Sequence, residues 1–182
     1  MNITVYLGAN FGNDLRLKTA CEELGTWIGK SGNNLVYGGS KSGLMGVLAE
    51  NVLKNGGEVI GVEPQFFIDQ GLEYKEITKL YITEDMPSRR SKMIELGDAF
   101  IAFPGGTGTL EEIAEVMCKV SLKHLDAPCI VYNLNGYYDD LKALLNKMID
   151  YDLSSKEKQE RIYFLNNLEE IVDVINKYNA VV

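Results

Sequence analysis

The chain has 182 residues, 46% of them hydrophobic and 24% charged, with a formal net charge of −8. The length fits one domain with a core large enough to need no disulfide or structural metal. The acidic balance argues against a nucleic-acid polymer or an anionic membrane as partner, because phosphate backbones select basic surfaces. Cys21, Cys118 and Cys129 are scattered, and His124 is the only histidine. That set does not make a four-ligand zinc site, so no metal is expected. Three lone cysteines fit a reducing cytoplasm better than a secreted scaffold. The first residues carry no signal-peptide pattern, and no apolar run reaches the ~18 residues that span a bilayer.

Short β-rich runs alternate with helical periods. Ile3–Leu7 reads as a strand, broken by Gly8-Ala9-Asn10-Phe11-Gly12. Leu17, Cys21, Leu24 and Ile28 then mark one face of a helix. Leu35–Tyr37 is a second strand, and Leu44, Leu48 and Val52 a second helix. Glu58–Val62 is a third strand, stopped by Pro64. Gln65–Glu76 mixes Phe66 and Phe67 with Gly71 and charges, and reads as a lid or a connecting helix. Leu80–Thr83, Ala99–Phe103, Cys129–Tyr132 and Ile162–Leu165 are further strands. Ser88–Leu96, the stretch from Pro104 through Lys123, Tyr138–Ile149 and Leu168–Tyr178 supply helices between and after them.

This alternation predicts an α/β fold: one Rossmann-like, doubly wound parallel sheet over residues 1–182, with helices on both faces. Ligands of such sheets sit beyond the carboxyl ends of the strands, where the strand order switches. The unusual glycines fall at three such ends: Gly8 to Gly12, Gly38-Gly39, and Gly105 to Gly108.

Pro104-Gly105-Gly106-Thr107-Gly108-Thr109-Leu110-Glu111-Glu112 is the most informative segment. Glycines let a backbone approach a ligand closely, and free N–H groups at a helix start favour a phosphate. Thr107 and Thr109 add hydroxyl donors. The plainer alternative is a tight strand-to-helix turn capped by a threonine. The spacing is neither a Walker loop nor Gly-x-Gly-x-x-Gly. Glu111 and Glu112 point about 100° apart, so one of them faces a ligand, and spacing alone does not choose.

Two further segments lie at the same edge. Met86-Pro87-Ser88-Arg89-Arg90-Ser91-Lys92 puts three cations in four residues of an acidic chain. Arginine grips phosphate or carboxylate in a two-pronged way, although a solvated helix face is the usual fate of such a run. Tyr37 to Gly46 again joins strand to helix through glycines. Gly46 falls inside that helix, which points either to close packing or to a nearby ligand.

Together these segments resemble the LONELY GUY-type family of cytokinin riboside 5′-monophosphate phosphoribohydrolases, often labelled lysine decarboxylases. The family's Pro-Gly-Gly-x-Gly-Thr-x-x-Glu is complete from Pro104 to Glu112. Tyr37 to Gly46 matches a second motif with Ser40 for a glycine, and Met86 with Arg89-Arg90 a third with Arg for Lys. Asn135-Gly136-Tyr137-Tyr138-Asp139 is also similar. The departures are Cys118-Lys119-Val120-Ser121 after the helix start, Ala9-Asn10 in the first loop, and Gly71 near an expected glutamate.

The resemblance implies hydrolysis of the N-glycosidic bond of a cytokinin or purine nucleoside 5′-monophosphate. Glu112 and Arg89 become the catalytic residues. Gly105, Gly106, Thr107, Gly108 and Thr109 anchor the phosphate, and Gly8, Gly38, Gly39, Met86, Arg90 and Glu111 complete the substrate site. The resemblance implies a homodimer and calls for no cofactor. Decarboxylation of lysine would need pyridoxal phosphate and a Schiff-base lysine, for which the chain carries no signature. The competing readings are a non-catalytic carrier of a nucleotide or phosphorylated cofactor, and a structural partner protein.

Overall fold

A computed structural model describes residues 1–180 of the chain. Seven strands follow one another: β1 (Asn2–Tyr6), β2 (Asn34–Tyr37), β3 (Val59–Pro64), β4 (Lys79–Thr83), β5 (Ala99–Ala102), β6 (Cys129–Tyr132) and β7 (Ile162–Leu165). All their pairings are parallel, in the spatial order β4-β3-β2-β1-β5-β6-β7. The central strands are buried on both faces, which is why β5 reads as unbroken apolar sequence.

The helices are α1 (Leu15–Lys30), α2 (Gly43–Lys54), α3 (Gln65–Ile68), α4 (Met86–Leu96), α5 (Thr107–Ser121), α6 (Asp139–Asp150) and α7 (Leu168–Asn179). One core joins Cys21, Leu24 and Ile28 of α1, Leu48 and Val52 of α2, and Ile171 and Ile175 of α7 to the sheet. The other joins Met93 of α4 and Ile113, Val116 and Val120 of α5 to the opposite face. Leu141 and Leu145 of α6 lean on that second core half-buried. Helices α1, α2, α4, α5 and α7 thus bury the stripe their 3.6-residue period defines. The expected doubly wound α/β fold is the one observed.

The chain winds outward from β1 to β4, then returns to place β5 beside β1 and winds the other way to β7. The loops leaving β1 and β5 therefore diverge, and a cleft opens between them at the switch point.

Residues 65–76 differ from expectation. The helix covers only Gln65–Ile68, and Gly71 turns the chain at φ +68°. The remainder is pinned to the end of β2 rather than poised as a lid. Ser40 and Glu73 form an antiparallel bridge, the Tyr74 N–H donates to the Gly39 carbonyl at 2.8 Å, and the Lys41 N–H donates to the Leu72 carbonyl at 3.2 Å. Strand β3 also runs past the expected stop to include Glu63 and Pro64, because β4 offers both a parallel neighbour.

Candidate active site

The switch-point cleft has a volume of about 490 Å³. Its floor is the glycine turn between β5 and α5. Helix α5 is preceded by Gly106, and no side chain caps it. Neither Thr107 nor Thr109 serves as the capping residue that the plainer reading required. The first N–H groups of α5 therefore face a cleft that Thr107, Gly108 and Thr109 all line.

The glycines of this turn divide into two kinds. A Cβ on Gly105 would lie 2.9 Å from Thr109 Cβ and 3.0 Å from the Gly8 nitrogen, so Gly105 is fixed by packing. A Cβ on Gly106 or Gly108 would meet nothing within 4 Å. Protein packing does not require glycine at these two positions. An occupant of the cleft lying against the backbone would.

Arg89 reaches the cleft from α4. That helix starts at a fixed phase because the Asp85 side chain accepts the Ser88 N–H at 2.8 Å and Pro87 occupies the first turn. The Arg89 side chain is about one-tenth exposed. Its Nε donates to the Val62 carbonyl at 2.9 Å, and its Nη1 donates to Glu112 Oε1 at 2.8 Å. Gly38 makes room for the guanidinium, since any Cβ there would overlap Nη2. A charge this buried is tolerated because it is paired and hydrogen-bonded.

Glu112 is buried and lines the cleft. Burial pushes its carboxyl above the usual range, while the Arg89 charge opposes that shift. Glu111, one residue earlier, turns away and pairs with Arg90 Nη1 at 2.9 Å. The spacing left this choice open, and the geometry turns Glu112 inward.

The structure gathers Gly8, Met86, Arg89, Glu112 and the whole Gly105–Thr109 turn around one cleft. It does not bring all the expected residues there. Arg90 Nε also pairs with Glu115 at 3.1 Å, and Lys92 pairs with Glu95 at 2.8 Å. Of the three clustered cations only Arg89 lines the cleft; Arg90 and Glu111 are partners of each other outside it. Gly38 and Gly39 shape the site from behind rather than lining it. Gly46 answers to packing, because its Cβ would overlap the Lys41 carbonyl. His124 is exposed beyond the far end of α5.

The structure also gives a place to residues to which the sequence assigned no role. Tyr137 lines the cleft and donates its hydroxyl to the Gly105 carbonyl at 2.7 Å, bracing the turn. Leu44, Met45 and Phe67 form an apolar wall, and Asn10 and Asn13 add polar groups from the first loop. Glu63 is almost fully buried on β3, and nothing in its strand pattern announced a carboxylate there.

The fold and the cleft define a Rossmann-like α/β protein with an open helix start and a buried Arg–Glu pair at its switch point. A family model described as possible lysine decarboxylase matches residues 45–175. LOG1 of Arabidopsis thaliana, a cytokinin riboside 5′-monophosphate phosphoribohydrolase, is 34% identical over 97% of this chain and 83% of its own. The cytokinin riboside 5′-monophosphate phosphoribohydrolase of Rhodococcoides fascians is 36% identical over 96% of this chain and 88% of its own. The chain belongs to this LONELY GUY-type family. Among solved structures, the molybdenum cofactor carrier protein of Chlamydomonas reinhardtii shares the fold. Its TM-score is 0.72 at 17% identity, covering 98% of both chains.

Proposed function

We propose that the protein hydrolyses the N-glycosidic bond of a nucleoside 5′-monophosphate, giving the free base and ribose 5-phosphate. The observation that carries this reading is the buried Arg89–Glu112 pair facing the same cleft as the uncapped start of α5. The phosphoribohydrolase activity for which the two family relatives are named agrees with it.

The N–H groups of Thr107, Gly108 and Thr109, with the positive end of the α5 dipole, take the 5′-phosphate. Glu112 lies three to five residues further along, about 4.5–7.5 Å of helix rise, a span that fits a carboxylate at the far side of the ribose from the phosphate. The C1′–N bond breaks with its electron pair leaving on the base, and positive charge develops on the sugar. Ionised Glu112 stabilises that charge and takes a proton from the water that adds to C1′; the departing base takes up one proton from solvent and Glu112 returns its own, so the charges balance. Arg89 keeps Glu112 ionised and oriented. Phosphate binding spends remote energy on holding C1′ against the carboxylate.

A pyridoxal-dependent decarboxylase would need a lysine amine in the cleft, and none of the described residues lining it is a lysine. The residues therefore do not fit that cofactor. A homodimer is proposed as well: Leu110 on α5 and Leu122, just past its end, are exposed apolar residues that a second copy could cover, and light scattering reads the mass. No helix among the described residues is long and apolar enough to cross a membrane. A cytoplasmic location is proposed on the free cysteines alone.

Chromatography tests the activity. Adenosine monophosphate and its isopentenyl derivative should release free base, and the matching nucleosides without phosphate should release far less. Equal release from nucleosides would remove the phosphate from the account.

A further inference from the structure

The chain buries a second carboxylate that the reaction does not use. Val62 packs with Met93 on the α4 side of the sheet, so Glu63, the next residue of β3, points to the α2 side. Glu63 is 1% exposed, and its Oε2 has no hydrogen-bond partner. It lies against Gly39, where a Cβ would sit 3.2 Å from that oxygen. The segment 69–76 is pinned to the same place by the Ser40–Glu73 bridge and the Tyr74–Gly39 hydrogen bond. Glu73 is buried as well. Its Oε1 pairs with Lys75 at 3.2 Å, while its Oε2 has no partner. The buried Tyr37 hydroxyl is likewise unpartnered. Three buried oxygens short of a partner thus belong to β2, β3 and the returning segment. That segment begins at α3, which carries Phe67 into the wall of the cleft.

We propose that Glu63 is a positioning residue for the nucleotide cleft: its protonated carboxyl latches residues 65–76, and with them the Phe67 wall, onto the ends of β2 and β3. The carboxyl O–H supplies the donor that Glu73 Oε2 calls for, and the carboxyl's other oxygen is left to accept from the Tyr37 hydroxyl. Ionised, the same group has only acceptors to offer, and it faces the Glu73 carboxylate. The charged and titratable groups around Glu63 are Arg89 from α4, Glu73 from the returning segment and Tyr37 from β2. Burial outweighs the pull of Arg89, and Glu73 adds to it, so the Glu63 carboxyl is pushed up to about 7. Glu73 itself is held below the usual range by a backbone N–H and Lys75, so it supplies a standing negative charge.

The sign follows from linkage. Once released to solvent, Glu63 regains an ordinary carboxylate pKa of about 4.3. Closure is then strongest below that value, weakens as pH rises toward 7, and is weakest above it.

Hydrogen exchange at the Tyr74 and Lys41 amides tests the latch directly. Between pH 5.5 and pH 8, protection corrected for intrinsic exchange should fall by about tenfold or more relative to core amides, one pKa unit being worth tenfold. In Glu63→Gln, which is neutral at both values, the loss should disappear. In Glu73→Gln, which removes the opposing charge, it should shrink. The same loss in wild type and Glu63→Gln overturns the proposal, as does no loss in wild type. The Phe67 part rests on the proposed hydrolase reading. There, KM for the monophosphate should rise with pH in wild type relative to Glu63→Gln, the phosphate's own ionisation being common to both. Parallel KM profiles overturn that part, whereas absence of any hydrolysis would strike the hydrolase reading and leave the exchange result standing.

Discussion

The turn after β2 and the turn after β5 both contain Gly-Gly, both sit at the carboxyl edge of the sheet, and both lead into helices with no side-chain cap. Their glycines answer to different things. Gly38 clears the Arg89 guanidinium, Gly43 at φ +55° clears the Ala9 carbonyl, and Gly46 clears the Lys41 carbonyl. Every one of these is demanded from inside the protein. Gly106 and Gly108 clear nothing that belongs to the chain. Two turns of like composition thus divide into a scaffold and a surface left open for a ligand. What a side chain would strike separates them, and composition does not.

Substitutions can break or sharpen that contrast. The largest effect is expected where the two turns meet, at Arg89, which packs on Gly38 and bonds Glu112. Arg89→Ala strands a buried carboxylate, and breaking such a pair costs about 3–5 kcal/mol. Denaturant titration should show that loss, and base release should fall about a thousandfold. Gly46→Ala comes next. Its methyl group would overlap the Lys41 carbonyl, and overpacking of this kind costs about 1–3 kcal/mol. Its melting temperature should drop while phosphate affinity changes little. Gly108→Ala reverses the pattern: unchanged melting temperature, with KM for the monophosphate raised about tenfold, or about 1.4 kcal/mol of lost binding. If Gly108→Ala melts early or leaves KM untouched, the division between the turns fails.

The fold was legible because its strands and helices announce themselves locally. Each strand lies within a residue or two of its β-rich run, since parallel pairing merely lengthens or trims the ends, as at Glu63 and Pro64. The basic cluster was less legible. Arg89 and Arg90 are adjacent, yet a step of about 100° around α4 sends one into the cleft and the other to Glu111 and Glu115. The phase is set by the Asp85 cap, and no count of cations reveals it. Residues 65–76 were the least legible, because they are held by hydrogen bonds to Gly39 and Lys41, some thirty residues away in sequence. Glu63 was missed for a related reason. A lone acid among Val62 and Pro64 looks like a surface residue until β2 and the returning segment close over it.

Glu112 carries the central claim. In the proposed reaction its ionised form does the work, and burial places its carboxyl above the usual range. The rate should therefore be lost as pH falls through a value higher than an ordinary glutamate's. The most direct measurement is base release by Glu112→Gln under single-turnover conditions, with calorimetry on the same sample to confirm that monophosphate still binds. Binding should be retained while release falls by about two to four orders of magnitude, the range for losing a positioned general base. Release at the wild-type rate from Glu112→Gln would contradict the claim.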